Sequence, residues 1–325
     1  MRQGNQSPQQ DRLRSLITGA NGFVGKHLAD LLLGLPESSC WAFSTEEESR
    51  LPNQVVYRRV DIRDRQSLAD FLHSAQPHHI YHLAAISTLS AASDDKRIAF
   101  DVNVWGTSNL LESASKLSER ARVLNISSSQ VYGSAAGGIT EQHPLRPANM
   151  YAVTKAMAEL WSGLYATGVD AITARAFNHT GPGQPAQFVL SSLAQQVAAI
   201  EAGISQPVIR AGDLSVERDF TDVRDVVKAY ALLAERGKPG AVYNVCSGRA
   251  CRLSDLLEIL LSEAGIKASV ERDPAKNRTQ DPRRIYGDNS KLREATGWAP
   301  VVPIEQTMHD LLNFWRSEIG HRSRV

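Results

Sequence analysis

Tyr151 and Lys155 stand four residues apart in a stretch that reads as helix, a spacing that sets both side chains on one face. A free phenol, with a pKa of about 10, is a poor proton donor or acceptor near neutrality. An ammonium beside it favours the phenolate and lowers that pKa. Such a pair can pass a proton to or from a substrate oxygen while hydride moves to or from a nicotinamide. Upstream, Ser127-Ser128-Ser129 closes the apolar run Val123-Leu124-Asn125-Ile126, and a hydroxyl there can bond the reacting oxygen. Alone, Tyr-x-x-x-Lys occurs on many surface helices and a serine run is an ordinary polar turn. Their place in the chain is what joins them, because ligands of open α/β sheets collect beyond the carboxyl ends of the strands.

A second motif supplies the partner for this chemistry. Thr18-Gly19-Ala20-Asn21-Gly22-Phe23-Val24-Gly25 lies between a short apolar strand and a helix. In a dinucleotide turn one glycine allows the tight bend, another lets backbone approach the pyrophosphate, and a third lets helix and strand pack closely. The helix start then offers amide hydrogens and partial positive charge to phosphate. The spacing here is GxxGxxG, so the flanking strand and helix carry much of the inference. The second strand ends in Ser44-Thr45, with acids only from Glu46 onward. With no carboxylate placed for a ribose 2′-hydroxyl, NADP(H) is favoured, and use of NAD(H) as well is the alternative. Asp61-Ile62 follows the third strand and is a candidate for the adenine side of the site; a strand-to-helix cap is the plainer reading.

The elements that must position these groups alternate. Strands are expected at Ser15–Thr18, Cys40–Phe43, Gln54–Tyr57, His79–Leu83, Val123–Ile126 and Ala171–Ala174. Helices are expected at Gly22–Leu33, Arg65–Ser74, Ile98–Leu117 and Tyr151–Tyr165. Strand-helix alternation with near-continuous apolar strands predicts an α/β fold with a doubly wound, Rossmann-type parallel sheet covered on both faces. Beyond Phe177 glycines and prolines break the alternation. The expected division is a tail over residues 1–12, a dinucleotide-binding domain over 13–177 and a smaller mixed lobe over 178–325, with segments around Asp219 and Tyr243 returning to the main sheet.

Composition narrows the classes. The 325 residues, 42% hydrophobic and 22% charged, can build a substantial core. A net charge of +1 gives no global field for nucleic acid or an anionic membrane, so an anionic ligand must be held locally. Cys40, Cys246 and Cys251 form no CxxC pair, which fits a reducing compartment and argues against structural zinc. His78, His79 and His82 resemble a metal cluster only on paper; around a buried strand they read as packing and hydrogen-bonding groups, and no metal is expected. The N-terminus lacks an apolar signal segment and no run is long enough to span a bilayer, so the expected location is cytoplasmic.

Taken in order, the glycine turn, Leu83-Ala84-Ala85, the serines before Val131-Tyr132-Gly133, and Tyr151…Lys155 resemble an extended short-chain dehydrogenase/reductase over nearly the whole chain after the tail. The resemblance implies a Rossmann domain with a C-terminal sugar-nucleotide lobe, and a homodimer joined through a four-helix bundle. It implies Ser128, Tyr151 and Lys155 as the catalytic set, with Lys155 also on the nicotinamide ribose. It implies cofactor contacts from Gly19, Asn21, Gly22, Phe23, Val24, Gly25, Asp61, Ile62, Leu83, Ala84 and Ala85.

The C-terminal half is similar to GDP-4-dehydro-6-deoxy-D-mannose reductases through Ala176–Gln184, Arg218–Asp225, Tyr243–Gly248, Gly287–Leu292 and Thr296-Gly297-Trp298. That likeness implies a GDP-sugar substrate contacted by Ser128, Ser129, Asn178, Arg218 and Arg278; arginine suits a diphosphate because its planar fork gives two charge-assisted bonds. The chain departs from the pattern at Arg278-Thr279, where relatives carry proline after the arginine. It also carries Ser129 and Gln130 where dehydratases of this kind hold acids after the catalytic hydroxyl. Water removal across C5 and C6 needs such carboxyl groups and ketone reduction does not. The implied activity is therefore reduction of a C4 ketone. A 4-epimerase, a 4,6-dehydratase, a dTDP-sugar ketoreductase and a non-enzymatic dinucleotide sensor are the rivals.

Overall fold

The computed structural model describes residues 13–135, 137–165, 167–273 and 282–322. The expected tail and Arg278 lie outside the described residues. The first half runs β1 (Leu13–Thr18), α1 (Phe23–Leu33), β2 (Ser38–Ser44), β3 (Val56–Arg59), α2 (Arg65–Ala75), β4 (His79–His82), α3 (Leu89–Asp94), α4 (Lys96–Phe100) and, after a π-helical turn over Asp101–Trp105, α5 (Gly106–Ala114). There follow β5 (Arg122–Ser128), a 3-10 turn over Ser129–Tyr132, β6 (Gly137–Ile139), α6 (Met150–Leu164), β7 (Asp170–Ala176) and β8 (Asn178–Thr180). The remainder is α7 (Val189–Glu201), β9 (Val208–Ala211), β10 (Glu217–Asp222), α8 (Val223–Arg236), β11 (Val242–Val245), β12 (Ala250–Arg252), α9 (Leu253–Ala264), β13 (Ser269–Arg272), β14 (Arg284–Gly287), α10 (Ser290–Thr296) and α11 (Ile304–Arg322).

Seven strands form the main sheet in the order β11-β7-β5-β4-β1-β2-β3, and every pairing is parallel. Neighbours along each strand point to opposite faces, and the inner strands are covered on both: β4 is buried throughout, while the edge strand β3 is largely exposed. Ile17, Tyr81 and Leu124 join Leu28, Leu32, Val226, Tyr230 and Leu233 in one buried cluster. Their neighbours Leu16, Ile80 and Val123 join Leu68, Phe71, Leu110 and Leu111 in another. The doubly wound α/β expectation is met.

A second, mixed sheet runs β12-β10-β14-β6, with β8 also paired to β10 and only β12 antiparallel to β10. Beside it α7, α9 and α11 bury Leu193, Val197, Leu256, Leu260, Leu311 and Trp315 together. The Tyr243 segment does return to the main sheet, as β11 on β7. The Asp219 segment does not: β10 pairs with β8, β12 and β14.

The expected helix Ile98–Leu117 is three pieces. Asp95 ends α3 and caps α4, accepting from the Ile98 amide at 2.9 Å. The π turn then carries Asn103, whose side chain accepts from the Ile86 amide at 2.8 Å and donates to the Thr154 hydroxyl at 2.9 Å. An extra residue per turn re-aims a side chain in this way, and it ties the loop after β4 to α6.

Candidate active site

The glycine turn is closed by contact. Gly19 takes φ +65°, a left-handed conformation that favours glycine, and a Cβ there would stand 2.7 Å from Ala84 Cα. The Ala84 amide donates to the Thr18 hydroxyl at 2.9 Å, so Leu83-Ala84-Ala85 and the turn form one wall. Helix α1 begins at Phe23 with Gly22 at its N-cap, so no side chain caps it, and no acid stands in its first turn. Its leading amides are thus left for an external acceptor, which suits a pyrophosphate. The Asn21 side chain faces the loop after β2: its amide donates to Glu46 at 3.0 Å and to the Glu48 carbonyl at 2.8 Å, and its oxygen accepts from the Arg50 amide at 3.0 Å. Val24 packs against the core on the α1 face. Asp61 pairs with Arg63, which holds its carboxyl below the usual range, and Asp64 is the residue that caps α2. Ile62 is buried against Gly106.

Asn149 starts α6 by accepting from the Ala152 amide at 2.8 Å, which fixes where Tyr151 and Lys155 fall on the helix. The two sit over the carboxyl end of β5, where Ser128 ends the strand. Its hydroxyl accepts from the Gln130 amide at 3.2 Å and also bonds the Tyr151 phenol. Lys155 is buried and donates from Nζ to the Ile126 carbonyl at 2.7 Å. The phenol differs from expectation. Burial pushes Tyr151 up to about 12, against a smaller downward pull from Ser128. The ammonium gives one of its hydrogens to a carbonyl, and burial draws Lys155 itself down to about 8, opposed by the charge of Glu159.

The other expected contacts lie further along. Ser129 opens the 3-10 turn, half-buried. Asn178 begins β8 opposite Phe220 of β10. Arg218 lies on β10, donating to the carbonyls of Glu217 at 2.8 Å and Arg283 at 3.3 Å. The structure therefore gathers Ser128, Tyr151 and Lys155 at one strand end and sets the glycine turn against Leu83-Ala84, while Arg218 stands on the second sheet.

Two features escaped the sequence reading. His179 stacks on Phe23 of the turn, rings 6.2 Å apart and 7° from parallel, and bonds the Phe177 carbonyl through Nδ1 at 3.1 Å. Its place directly after Asn178 is the signal that was there to be used. The second is a buried pair: Arg175 meets Glu159 through Nε at 3.1 Å to both oxygens and through Nη2 at 2.7 Å. Arg175 is thus occupied within the protein, as a structural rather than ligand-binding arginine should be. Among the histidines, His82 bridges Thr18 at 2.9 Å and Thr107 at 2.8 Å.

The family described as GDP-mannose 4,6 dehydratase matches residues 16–311. The GDP-6-deoxy-D-mannose reductase of Pseudomonas aeruginosa is 37% identical over 312 residues, covering 94% of this chain and 98% of that protein. The solved structure of RMD from Pseudomonas aeruginosa complexed with NADPH superposes with a TM-score of 0.84 at 34% identity, over 94% of this chain and 99% of that one. MoeE5 in complex with UDP-glucuronic acid and NAD superposes at 0.81 with 26% identity, over 94% and 99%.

Proposed function

Because this chain belongs to the GDP-mannose 4,6 dehydratase family, we propose that it works within that family as a 4-ketoreductase, converting GDP-4-dehydro-6-deoxy-D-mannose to GDP-6-deoxy-D-mannose (GDP-D-rhamnose). The observation that carries the reading is the residue content at the end of β5. Ser128 and Tyr151 meet there, and the next two residues are Ser129 and Gln130, neither of which can act as a carboxylate base. The relative at 37% identity is named for the same reduction.

When bound, NADPH supplies the hydride that becomes the new C4–H bond; NADH is the alternative donor. Gly19, Gly22 and Gly25 with the start of α1 hold its pyrophosphate, and Asn21 orders the loop beside its ribose. Ser128 donates to the ketone oxygen and steadies it. Tyr151 gives that oxygen its phenolic proton as the carbon–oxygen π bond breaks, so the ketone leaves as a secondary alcohol. A phenol held near 12 is fully protonated at neutral pH, the state a proton donor requires. Lys155 holds the ribose and stabilises the phenolate that remains. Asn178 and Arg218 bind the sugar nucleotide, with Arg278 from the segment outside the described residues.

The working form is a homodimer. Trp105, at the end of the π turn before α5, and Leu160 and Leu164 on α6 are 48%, 69% and 73% exposed, apolar surface suited to pairing with its own copy. Sedimentation of wild type against Leu160→Glu/Leu164→Glu tests this; equal masses count against it. The enzyme acts in the cytoplasm, in keeping with three free cysteines, and among the described residues no helix is long and apolar enough to cross a membrane. Its product is an activated sugar for polysaccharide synthesis. The test of the activity has two tubes: the 4-keto sugar nucleotide with NADPH, and GDP-mannose with oxidised cofactor, products identified by NMR. Reduction in the first supports the reading. Multiple-turnover keto-sugar formation in the second, with none in the first, overturns it.

A further inference from the structure

Tyr151, Lys155 and Glu159 follow one another at one-turn spacing along α6. Each holds a different residue at the tail of β5. Tyr151 bonds the Ser128 hydroxyl, Lys155 the Ile126 carbonyl, and Glu159 accepts a short hydrogen bond from the Ser127 hydroxyl. Lys155 and Glu159 are both buried. A buried ammonium bonded to a neutral carbonyl lacks the counter-charge that would make burial tolerable. The described carboxylate that acts on Lys155 is that of Glu159.

Glu159 is itself fixed by its neighbours. Arg175 grips it from β7, and Ser127 from β5. Arg175 in turn donates from Nη1 to the Tyr132 phenol at 3.0 Å, and its guanidinium lies over that ring at 4.9 Å. The Tyr132 hydroxyl donates to the side-chain oxygen of Asn244 on β11 at 2.7 Å. A brace serving packing alone would need only Glu159 and Arg175. This one ends on the strand tail that presents Ser128 and one turn from the lysine.

We propose that Glu159 is a positioning residue for the reaction, holding the β5 tail in register with α6 and keeping Lys155 charged while Tyr151 gives up its proton. The inference rests on the roles given above to Tyr151 and Lys155. Other groups face this spot. His82 comes from β4 and is kept neutral by burial and by the charge of Lys155. Tyr132 comes from the 3-10 turn and Arg175 from β7. Glu141 follows β6; its carbonyl accepts from Arg175 at 3.4 Å and its carboxylate from the Asn244 amide at 2.7 Å. Arg175 offsets part of the charge of Glu159, so removing Glu159 alone exposes Lys155 to desolvation and to that arginine together.

The experiment follows Lys155 directly, by lysine ε-13C NMR of the full-length protein, its resonance identified by its absence from Lys155→Arg. In Glu159→Gln the titration midpoint is expected to fall by about one pH unit. The alkaline limb of kcat for ketone reduction should move with it, while KM for the sugar nucleotide stays near wild type. An unchanged midpoint, with only a lower melting temperature, overturns the proposal and leaves a packing brace. Glu159→Gln strands a buried arginine. The double variant Glu159→Leu/Arg175→Met therefore serves as a second test: both charges go, and the midpoint should still fall, by a smaller amount; an unchanged midpoint there overturns the proposal too. The NMR titration needs no sugar substrate. Wild type that reduces no 4-keto sugar nucleotide would sink the reductase reading, while the midpoint would still decide whether Glu159 keeps Lys155 charged.

Discussion

Gly25 on α1 lies so close to Ala20 that a Cβ added to it would stand 2.3 Å from the Ala20 carbonyl oxygen. The backbone at Gly25 is ordinary helix, so the constraint is one of space. Gly25→Ala must push α1 away from the turn. It should cost about 1–3 kcal/mol of stability, the usual range for overpacking, and weaken NADPH binding at the same time. Gly163 on α6 has nothing within 4 Å of its Cβ position and serves as control. Gly163→Ala should leave binding unchanged and raise stability slightly. Equal NADPH affinity in Gly25→Ala and wild type, by fluorescence titration, would contradict the account of the turn.

Tyr151→Phe removes one oxygen from a half-buried side chain and the bond to Ser128. The fold and NADPH affinity should persist, while ketone reduction falls by about 10² or more. Single-turnover hydride transfer at the wild-type rate would show that another group gives the proton.

Arg218→Ala should weaken GDP binding by about 1.5–3 kcal/mol, the usual value of a hydrogen bond to a charged group, and leave NADPH binding alone. Calorimetry with cofactor bound is the check. Unchanged GDP affinity would show that Arg218 serves the fold and not the nucleotide.

His82 and His79 set an acid limit on stability. Burial, then the charge of Lys155, pulls His82 from 6.5 to about 3. Burial, then Arg122, pulls His79 to about 4. Both are neutral in the fold and take up protons on unfolding below their ordinary pKa. Their contribution is complete above about pH 6.5 and is lost as pH falls, towards about 4 for His79 and about 3 for His82, each adding a slope of up to about 1.4 kcal/mol per pH unit. Urea titrations at pH 7, 6 and 5 should show this slope, and His82→Gln should remove one proton's share of it. An undiminished slope would clear His82.

The main sheet was legible because inner parallel strands, covered on both faces, are short and largely apolar, and Ser15–Thr18, His79–Leu83 and Val123–Ile126 approach that form while keeping Ser15, Thr18, His79, His82 and Asn125 as buried polar residues. The glycine turn and Tyr151-x-x-x-Lys155 were legible because local spacing defines them. Pairing across the chain was not. Glu159 and Arg175 sit on a helix and on the strand after it, and nothing in either segment announces that their charges meet. The Asp219 segment carries a single apolar residue, Phe220, among charged and polar ones, and that pattern does not say which sheet it joins. The expectation of a lowered Tyr151 pKa failed for a similar reason: spacing put Lys155 beside it, while the hydrogen bond of Lys155 went to Ile126.

The strand order bears on how the chain must fold. The outermost strand beyond β7 is β11, which the ribosome makes only after β8, β9, β10 and α8. Until residue 245 has emerged, the edge of β7 has no partner on that side, and until α8 is complete at residue 236 the core face that takes Val226, Tyr230 and Leu233 is bare. A nascent chain stopped at 177 carries the glycine turn, Ser128, Tyr151 and Lys155 but exposes an unpaired parallel edge and an apolar face, the combination that recruits chaperones or other chains. The glycine turn and the cluster of Ser128, Tyr151 and Lys155 are therefore made early, while Asn178, Arg218 and the strand that completes the main sheet come late.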